Sequence, residues 1–358
     1  MKSDRTMNRG EKAFFRCRLA GEKEQIYAYG VTTITNGTLV PGIIMAPFDP
    51  DSETALLFGT DSKVEWEKQT PLFRIPERGT LREEHIARVE EEIEILRSAS
   101  DATKEAGNDT HIAKTVLART KVITTASEGR EIYDSLCEAY PETFVFHGES
   151  AQSGQWIGAS PELLCRTREN KLFTVALAGT RVSGTGGKWD LKNIEEQRVV
   201  AAFIMETLNK YCESVAGSAV YTRQAGPVEH LCCDITATLP TDTSPEERLR
   251  RISQIVSALS PTPALSGFPR SQAIREIKRL EEFERGFYGG YLAVVRENGD
   301  TDIYVNLRSM ILDGQNAILF GGGGIMPDSV AKEEWEETER KISTLERFLK
   351  QAHFKSTK

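Results

Sequence analysis

Hydrophobic and polar residues alternate in short runs through the first part of the chain, and this pattern predicts strands. The runs FFRCRL, IYAYGVTTI, GIIMAPF and ALLFG in residues 13–75 are separated by Gly, Pro, Asn and Asp, which favour turns. In residues 82–99 the apolar positions change to helical spacing, with Ile86, Val89 and Ile93 on one stripe. We therefore expect a sheet-rich N-terminal part that is followed by a helix.

The remainder of the chain mixes both patterns without a regular alternation of strand and helix. Helices are predicted for residues 111–119 (a short helix or helix-like turn), 128–140, 188–213, 245–259, 270–283 and after 328. Strands are predicted for residues 143–147, 154–159, 171–176 and 228–239, and for a meander formed by 291–296, 302–311 and 317–321. This order favours an α+β fold with large antiparallel sheets over a doubly wound sheet, and the absence of a repeat or linker predicts one domain over residues 1–358.

Residues 321–341, GGGGIMPDSVAKEEWEETERK, combine consecutive glycines with an acidic helix. Glycines allow backbone amides to approach a ligand closely, and Asp328 or Ser329 would cap the helix that follows. Glu334 and Glu337 are three residues apart and share one helical face, where they repel each other unless a cation lies between them. Two interpretations stay open from these residues alone, a glycine turn before a solvated helix or a ligand site.

Two residues have the surroundings that acid–base chemistry needs. Lys114 in HIAKTVLAR is flanked by apolar residues, and partial desolvation would lower its pKa and make it a base. Glu162 in GASPELL follows a proline, and desolvation would raise its pKa toward use as an acid. A surface lysine on an amphipathic helix and a glutamate in a turn or first helical turn are the simpler alternatives.

A third acidic position, Glu196, lies near the start of the helix predicted for residues 188–213. It is either solvated or joins Glu334 and Glu337 around a cation, and three carboxylates suit Mg²⁺ better than zinc. His230, in an apolar strand, is as easily a core histidine as a ligand contact. Arg308 is predicted in the middle of the strand YVNLRSM, where a buried charge needs a carboxylate from the protein or from a substrate.

Composition argues against several classes of function and cellular location. The net charge of -8 and the pI of about 5.4 argue against a nucleic-acid partner. No apolar run is long enough to cross a membrane, and the N-terminus lacks the apolar core of a signal peptide. The 6 cysteines contain no CxxC pair, which favours buried thiols in a reducing compartment. We expect a cytoplasmic protein.

Taken together, the motifs resemble those of the chorismate-utilising enzymes, and most closely those of isochorismate synthases. The resemblance rests on LSPTPALSGFPRSQAIREIKRLEEFERGFYGGYLAVV, HIAKTVLAR, GASPELL, ALAGTR and the glycine-acid stretch. It covers residues 111–349 as a chorismate-binding core, whereas residues 1–100 carry only a weak pattern. It implies two stacked lobes with antiparallel sheets, an active site between them, and Mg²⁺-dependent chemistry on chorismate.

The resemblance also implies roles for individual residues. Lys114 matches the base that activates water for attack at C2 of the ring, and Glu162 matches the acid that protonates the departing C4 hydroxyl. Glu196, Glu334 and Glu337 match the Mg²⁺ ligands. The positions matching those that contact the substrate are Gly179, Thr180, His230, Ala264, Leu265, Tyr288, Arg308, Gly322, Gly323, Gly324 and Lys341.

Within the family, Lys114 and Ala178 favour water over ammonia as the nucleophile, so no glutaminase partner is expected. The resemblance implies isomerisation to isochorismate for menaquinone or siderophore biosynthesis, in a monomer or homodimer. A salicylate synthase, which shares Lys114 and a tyrosine like Tyr288, and a glutaminase-dependent anthranilate or aminodeoxychorismate synthase subunit are the alternatives. Asn193 stands where relatives often carry an acid near the metal, which would weaken Mg²⁺ binding.

Overall fold

The computed structural model describes residues 13–59, 70–105, 114–184, 186–225, 228–241 and 244–350. The strands are β1 (Phe14–Arg18), β2 (Gln25–Tyr29), β3 (Val31–Thr35), β4 (Gly42–Ala46), β5 (Thr54–Phe58), β6 (Lys114–Thr124), β7 (Phe144–Ser150), β8 (Gly154–Ser160), β9 (Leu163–Arg168), β10 (Lys171–Val182), β11 (Ser214–Gly217), β12 (Tyr221–Ala225), β13 (Val228–Thr238), β14 (Gly267–Phe268), β15 (Tyr291–Val295), β16 (Thr301–Val305), β17 (Ser309–Asp313) and β18 (Asn316–Ile325). The helices are α1 (Arg82–Glu105), α2 (Gly129–Ala139), α3 (Leu191–Asn209), α4 (Pro245–Leu259), α5 (Arg270–Leu280) and α6 (Ala331–Glu346).

The strands form two antiparallel sheets. In the first sheet the order is β14-β6-β18-β17-β8-β7-β1-β2, and in the second it is β11-β13-β10-β9-β16-β15-β4-β5-β3, with β12 also paired to β13. The predicted α+β class with large antiparallel sheets is therefore confirmed. No helix among the described residues has the length and apolar character needed to cross a bilayer.

The two sheets pack face to face over an aromatic core. Phe15 on β1 lies 5.2 Å from Phe58 on β5, measured between ring centroids, and Phe144 on β7 stacks on Tyr304 of β16 at 4.4 Å. Burying each of these large side chains contributes on the order of 1.5–3 kcal/mol, so the sandwich fixes the relation between the sheets.

Helices cover the outer faces of both sheets. Ile132 of α2 and Ile342 of α6 pack on the first sheet, and α1 and α5 pack beside them on the end that contains β6. Ile204 of α3 and Ile252 of α4 belong to the cluster over the second sheet. The resulting layers run helix, sheet, sheet, helix.

The helix or helix-like turn predicted for residues 111–119 is wrong from Lys114 onward, where the chain is strand β6. Residues 111–113 lie outside the described residues. This strand carries apolar side chains on both faces. Val116 and Ala118 face the core between the sheets, and Leu117 packs under α1 and α5 on the other face. A segment that is buried on both faces has no clear period of two, and its spacing therefore imitates a helix.

Three further local predictions are corrected. Arg308 is not in the middle of a strand but between β16 and β17, where its φ of 47° interrupts the extended chain. Residues 321–324 are part of β18 and do not form a turn. Helix α6 has Val330 at its N-cap and no side-chain cap, because the Ser329 hydroxyl donates to Glu334 instead.

Candidate active site

A gap in the first sheet organises the candidate site. Strand β17 pairs with β18 only from Asp313↔Asn316 to Met310↔Leu319, whereas β6 follows β18 as far as Ile325. The last residues of β18 therefore present a backbone edge that β17 does not cover. At this edge the Lys341 ammonium donates to the carbonyl of Gly322 over 2.8 Å. Since the N–H and C=O of one strand residue point to the same side, the Gly322 amide faces the gap as well.

The glycines of β18 allow close approach on both faces of the strand. A Cβ on Gly323 would lie 3.0 Å from Glu334 Oε2, and one on Gly321 would lie 2.9 Å from a side-chain carbon of Ile342. On the other face, a Cβ on Gly324 would lie 2.5 Å from Lys114 Cε. Helix α6 and the Lys114 side chain can both reach the strand because it carries no side chains there.

Lys114, the first residue of β6, forms an ion pair with Glu196 of α3. Its Nζ lies 2.8 Å from Glu196 Oε1, and each side chain is 20% exposed. Breaking a half-buried pair of this kind leaves two charges in a poorly solvated place unless each finds another partner. The structure thus brings the predicted base and one predicted metal ligand together, as partners of each other.

Glu162 lies in the link between β8 and β9, and its carbonyl accepts a hydrogen bond of 3.0 Å from the amide of Val305. Burial raises the pKa of the Glu162 carboxyl to about 7, although the charges of Arg308, Lys341 and Lys114 oppose the shift. A carboxyl with this pKa is partly protonated at neutral pH and can donate a proton. Arg308, Lys341 and Lys114 form a cluster of cations, and their effect on the Glu162 carboxyl shows that it lies near this cluster.

Arg308 contributes a half-buried cation to the site. Its carbonyl accepts from the amide of Ala159 at 3.0 Å, and its guanidinium donates to the carbonyl of Lys341 at 3.4 Å. Burial lowers the pKa of this guanidinium. Within the described ranges no carboxylate forms an ion pair with it, which is the situation expected of an arginine that receives an anionic ligand.

Glu334 and Glu337 share one face of α6, as predicted. The Ser329 hydroxyl donates to Glu334 at 2.7 Å, and burial raises the pKa of Glu334 with support from the charge of Glu337. Burial acts on Glu337 in the same direction, but its ion pair with Lys341 prevails and lowers its pKa. Each carboxylate thus has a partner within its own helix or the residues that lead into it.

The fit of these acids to Mg²⁺ can be tested on their arrangement. Their oxygen donors suit the ion, and Glu334 and Glu337 share one face of α6. However, the described part of the chain contains no group of three or more His, Cys, Asp or Glu side chains placed to hold a metal. Glu196 is directed at Lys114 and not at the pair on α6, so the predicted three-ligand set remains a prediction.

The second sheet supplies His230 and Gly179. His230 Nδ1 lies 3.3 Å from the Gly179 carbonyl, and burial lowers the pKa of the histidine, with smaller effects from Lys341 and Arg308. Gly179 has a φ of 73°, and a Cβ there would lie 3.1 Å from the Asn193 carbonyl of α3. Thr180 pairs with His230 through the backbone, while its side chain lies outside what the structure describes.

The predicted ring wall is assembled only in part. Tyr288 is buried and stacks on Phe320 at 4.9 Å, and its hydroxyl is the nearest atom to a Cβ built on Gly322, at 3.4 Å. Leu265 is buried, whereas Ala264 is exposed. Tyr288 therefore adjoins the glycine strand, and the Ala264 side chain is directed toward the surface.

Other contacts around the site were not predicted. Ser329 orients Glu334, and Arg119 on the outer face of β6 donates to Thr338 at 2.6 Å and lies 3.8 Å from the centre of the Trp335 ring, which holds α6 in place. Arg285 contacts two segments next to the site, as described below. The charged residues in these contacts lie within ordinary helical or apolar patterns, and their partners are far away in sequence.

Comparison with known proteins identifies the class to which this fold and site belong. A family model described as chorismate binding enzyme matches residues 67–350. The chain belongs to this family. The match contains every residue of the predicted site.

Two curated relatives and one solved structure illustrate the relationship. An isochorismate synthase, MenF, of Haemophilus influenzae is 31% identical over 226 residues, 60% of this chain and 51% of that protein. Anthranilate synthase component 1 of Saccharolobus solfataricus is 27% identical over 272 residues, 72% of this chain and 60% of that protein. The structure of the menaquinone-specific isochorismate synthase MenF from Escherichia coli has a TM-score of 0.72 at 20% identity, covering 94% of this chain and 89% of that chain, and this likeness shows the fold. The chain spans about half the length of the first of these relatives and 60% of the second.

Proposed function

We propose that this chain is an isochorismate synthase, an isomerase that converts chorismate to isochorismate with water as the nucleophile. The observation that carries the proposal is that Lys114, the first residue of β6, and Glu162, in the link between β8 and β9, lie in one site with the cations Arg308 and Lys341. Membership of the chorismate binding enzyme family supports chorismate as the substrate. The likeness to proteins named isochorismate synthase supports the reaction.

The cations and backbone amides of the gap would bind the two carboxylates of chorismate. Arg308 is half-buried and lacks an ion-pair partner among the described residues, and Lys341 borders the uncovered edge of β18. The amides of Gly322 and Gly324 point to the same side of that edge because alternate strand residues share an orientation. Carboxylates that receive charge-assisted bonds from these groups would be fixed relative to Lys114 and Glu162.

The reaction needs one proton removed and one proton supplied. Lys114, released from Glu196 and neutral, would take a proton from the water whose oxygen attacks C2. Glu162 would give its proton to the hydroxyl that leaves C4, so that water departs as the ring double bonds shift. Each proton transfer contributes roughly 10²–10⁴-fold to the rate, and positioning adds to both.

We further propose that Glu196, Glu334 and Glu337 hold Mg²⁺. When bound, a divalent cation would offset the repulsion between these carboxylates and the substrate's own negative charge. Glu196 can take part only if it separates from Lys114, which would at the same time release the lysine to act as a base. Asn193 borders Gly179 with its backbone and side chain, and its weakening of Mg²⁺ binding stays a prediction.

The proposal extends to the domain organisation, the cellular location, the oligomeric state and the pathway. The chain would act as one domain in the cytoplasm, as a monomer or homodimer, without a glutaminase partner. Its product would supply menaquinone or siderophore biosynthesis.

The decisive experiment is chromatography of the products formed from chorismate by the purified chain, with and without Mg²⁺. The proposal expects isochorismate without added ammonia or a second protein, and expects no product when Mg²⁺ is removed by a chelator. Salicylate with pyruvate as the sole products would establish the salicylate synthase alternative. Formation of anthranilate or aminodeoxychorismate only when ammonia is added would establish the glutaminase-dependent alternative, and no conversion at all would reject the family of proposals.

A further inference from the structure

A buried ion pair outside the cluster joins several segments of the candidate site. Glu281 directly follows α5, and Arg285 is four residues later, with each side chain only 3% exposed. Arg285 Nε donates to Glu281 Oε2 at 2.8 Å. Two charges removed from water to this degree are unfavourable unless further hydrogen bonds compensate them. The pair is therefore expected to have further hydrogen-bond partners.

The further partners of the pair are backbone groups of two neighbouring segments. Arg285 donates to the carbonyl of Val116 at 2.7 Å and to the carbonyl of Leu265 at 3.0 Å. Glu281 accepts from the amide of Ala118 at 2.7 Å. The guanidinium also lies 4.2 Å from the centre of the Phe48 ring, which packs the cation on an apolar side chain.

These bonds replace strand pairing that β6 lacks on its outer side. Strand β14 pairs with β6 only at Gly267↔Thr115 and Phe268↔Lys114. Beyond it, the Val116 carbonyl and the Ala118 amide would be buried without a partner, at a considerable energetic cost. The Arg285 guanidinium donates to the Val116 carbonyl, and the Glu281 carboxylate accepts from the Ala118 amide. The ion pair thus takes the place of a neighbouring strand at these two residues.

The segments held in this way carry proposed functional residues. Val116 lies two residues after Lys114 on β6, and Leu265 is one of the residues proposed to wall the ring. The carbonyl of Arg285 itself accepts from the amide of Tyr288 at 2.9 Å. The guanidinium is therefore bonded next to the base and directly to the wall position Leu265, and the backbone of the same residue is bonded to the wall position Tyr288.

We propose that Arg285, together with Glu281, is a positioning pair that fixes the base Lys114 relative to the ring-facing residues Leu265 and Tyr288. The inference rests on the proposed function, since Lys114 is a base only in that reaction. The guanidinium of Arg285 contacts none of the residues proposed to bind the substrate carboxylates. Its role is to hold the backbone at Val116 and Leu265. A small displacement of Lys114 is sufficient to reduce the rate, because proton transfer depends on hydrogen-bond distance.

The principal test is Arg285→Met, which keeps the apolar stem and removes the fork. We expect kcat for chorismate to fall by about 10²-fold, the loss typical of a reacting group misplaced by about 1 Å, while KM changes much less. Measurements are made at a temperature where circular dichroism shows the variant to be folded.

Arg16→Met is the matched control. Arg16 is also a buried arginine, bonded to His147 Nδ1 at 2.7 Å and lying 4.4 Å from the centre of the Tyr133 ring, but it belongs to β1, near the opposite end of the first sheet. Its loss should lower stability and leave kcat and KM as in the wild type. Equal losses of kcat in both variants would overturn the proposal, because a general loss of stability would then explain them.

Two conservative variants keep the test informative if Arg285→Met does not fold. Arg285→Lys retains the charge but reaches only one of the two carbonyls, so it should not restore kcat. Glu281→Gln retains an acceptor for the Ala118 amide and should cause a smaller loss. A folded Arg285→Lys with the kcat and KM of the wild type would overturn the proposal.

Hydrogen exchange separates this inference from the proposed function. Peptides covering residues 114–118 should exchange faster in Arg285→Lys than in the wild type, and Arg16→Met should leave them unchanged. A wild-type chain without activity on chorismate would reject the proposed function, and the exchange result would still decide whether the pair holds β6. Unchanged exchange in Arg285→Lys would reject the positioning role.

Discussion

Two acids, the half-buried Glu162 and the buried Asp302, lie in the same sandwich and have opposite electrostatic surroundings. Asp302 on β16 is fully buried and accepts bonds from Arg166, Arg168 and Arg296. Burial raises its pKa, but these arginines prevail and lower it. Glu162 has cations in its vicinity without an ion pair among the described residues, and burial prevails, raising its pKa to about 7.

The difference separates a structural carboxylate, Asp302, from Glu162, which is proposed to be the reactive one. Direct hydrogen bonds from arginine fix Asp302 in its charged form, and the network joins β9 to β16. Glu162 is left able to gain and lose a proton within the neutral range. The predictions below test this contrast, beginning with the largest effect.

Glu162→Gln should lower kcat for chorismate by roughly 10²–10⁴-fold, because the amide cannot donate the proton that the C4 hydroxyl needs. The fold should be unaffected, since the substitution preserves volume and the backbone bond to Val305. Steady-state kinetics measures the effect. Glu195→Gln, which alters an exposed carboxylate paired with Arg198, serves as the control and should turn over normally. Normal turnover by Glu162→Gln would remove the proposed acid.

Lys114→Met should lower kcat to a comparable or slightly smaller degree, again within roughly 10²–10⁴-fold, because no other described lysine on β6 faces the gap. The control is Lys121→Met on the same strand, which loses its contacts with Glu339 and Glu346 on the outer face. Kinetics on both variants should separate them clearly. A Lys114→Met variant as active as Lys121→Met would show that the water is activated by another group.

Asp302→Asn should affect stability and not chemistry. Removing one member of a buried ion network leaves charges without compensation, which costs roughly 3 kcal/mol, the lower end of the range, because the three arginines are partly exposed. Urea denaturation should show the loss as a lower midpoint. At a temperature where the variant is folded, its kcat should equal that of the wild type, and a large loss of kcat there would contradict the assignment of Asp302 as structural.

The sequence predicted the elements whose signals are local. Helix α4 begins and ends where expected because Pro245 follows Ser244, which forms a capping box with Glu247, and its apolar stripe is regular. Strand β6 was missed because its neighbour β18 is about 200 residues away and decides whether this apolar segment is extended. The break at Arg308 depends on the packing of β8 against β17, for which the residues themselves carry no signal.

The residues of the candidate site also divide into those with a local sequence signal and those without one. The shared face of Glu334 and Glu337 follows from helical spacing and was predicted from the residues alone. The remaining positions were assigned through the resemblance, because no local pattern brings residues of β6, β18 and α3 together. The ion pair between Lys114 and Glu196 was not predicted, since sequence shows neither the distance nor the orientation of two side chains on separate elements.

The pH dependence of stability gives the last and smallest test of the contrast between the two acids. The folded-state pKa of Glu162, about 7, is above its ordinary value of 4.5, so the native state binds more protons than the unfolded state between these values. Its contribution to stability is therefore present below about pH 4.5 and is lost as the pH rises toward 7. Asp302 acts in the opposite direction, because its lowered pKa gives stability that is lost as the pH falls. Urea titrations from pH 5 to 8 should show a more stable Glu162→Gln variant near pH 8 but little difference near pH 5, whereas a difference independent of pH would mean that the Glu162 carboxyl does not titrate in this range.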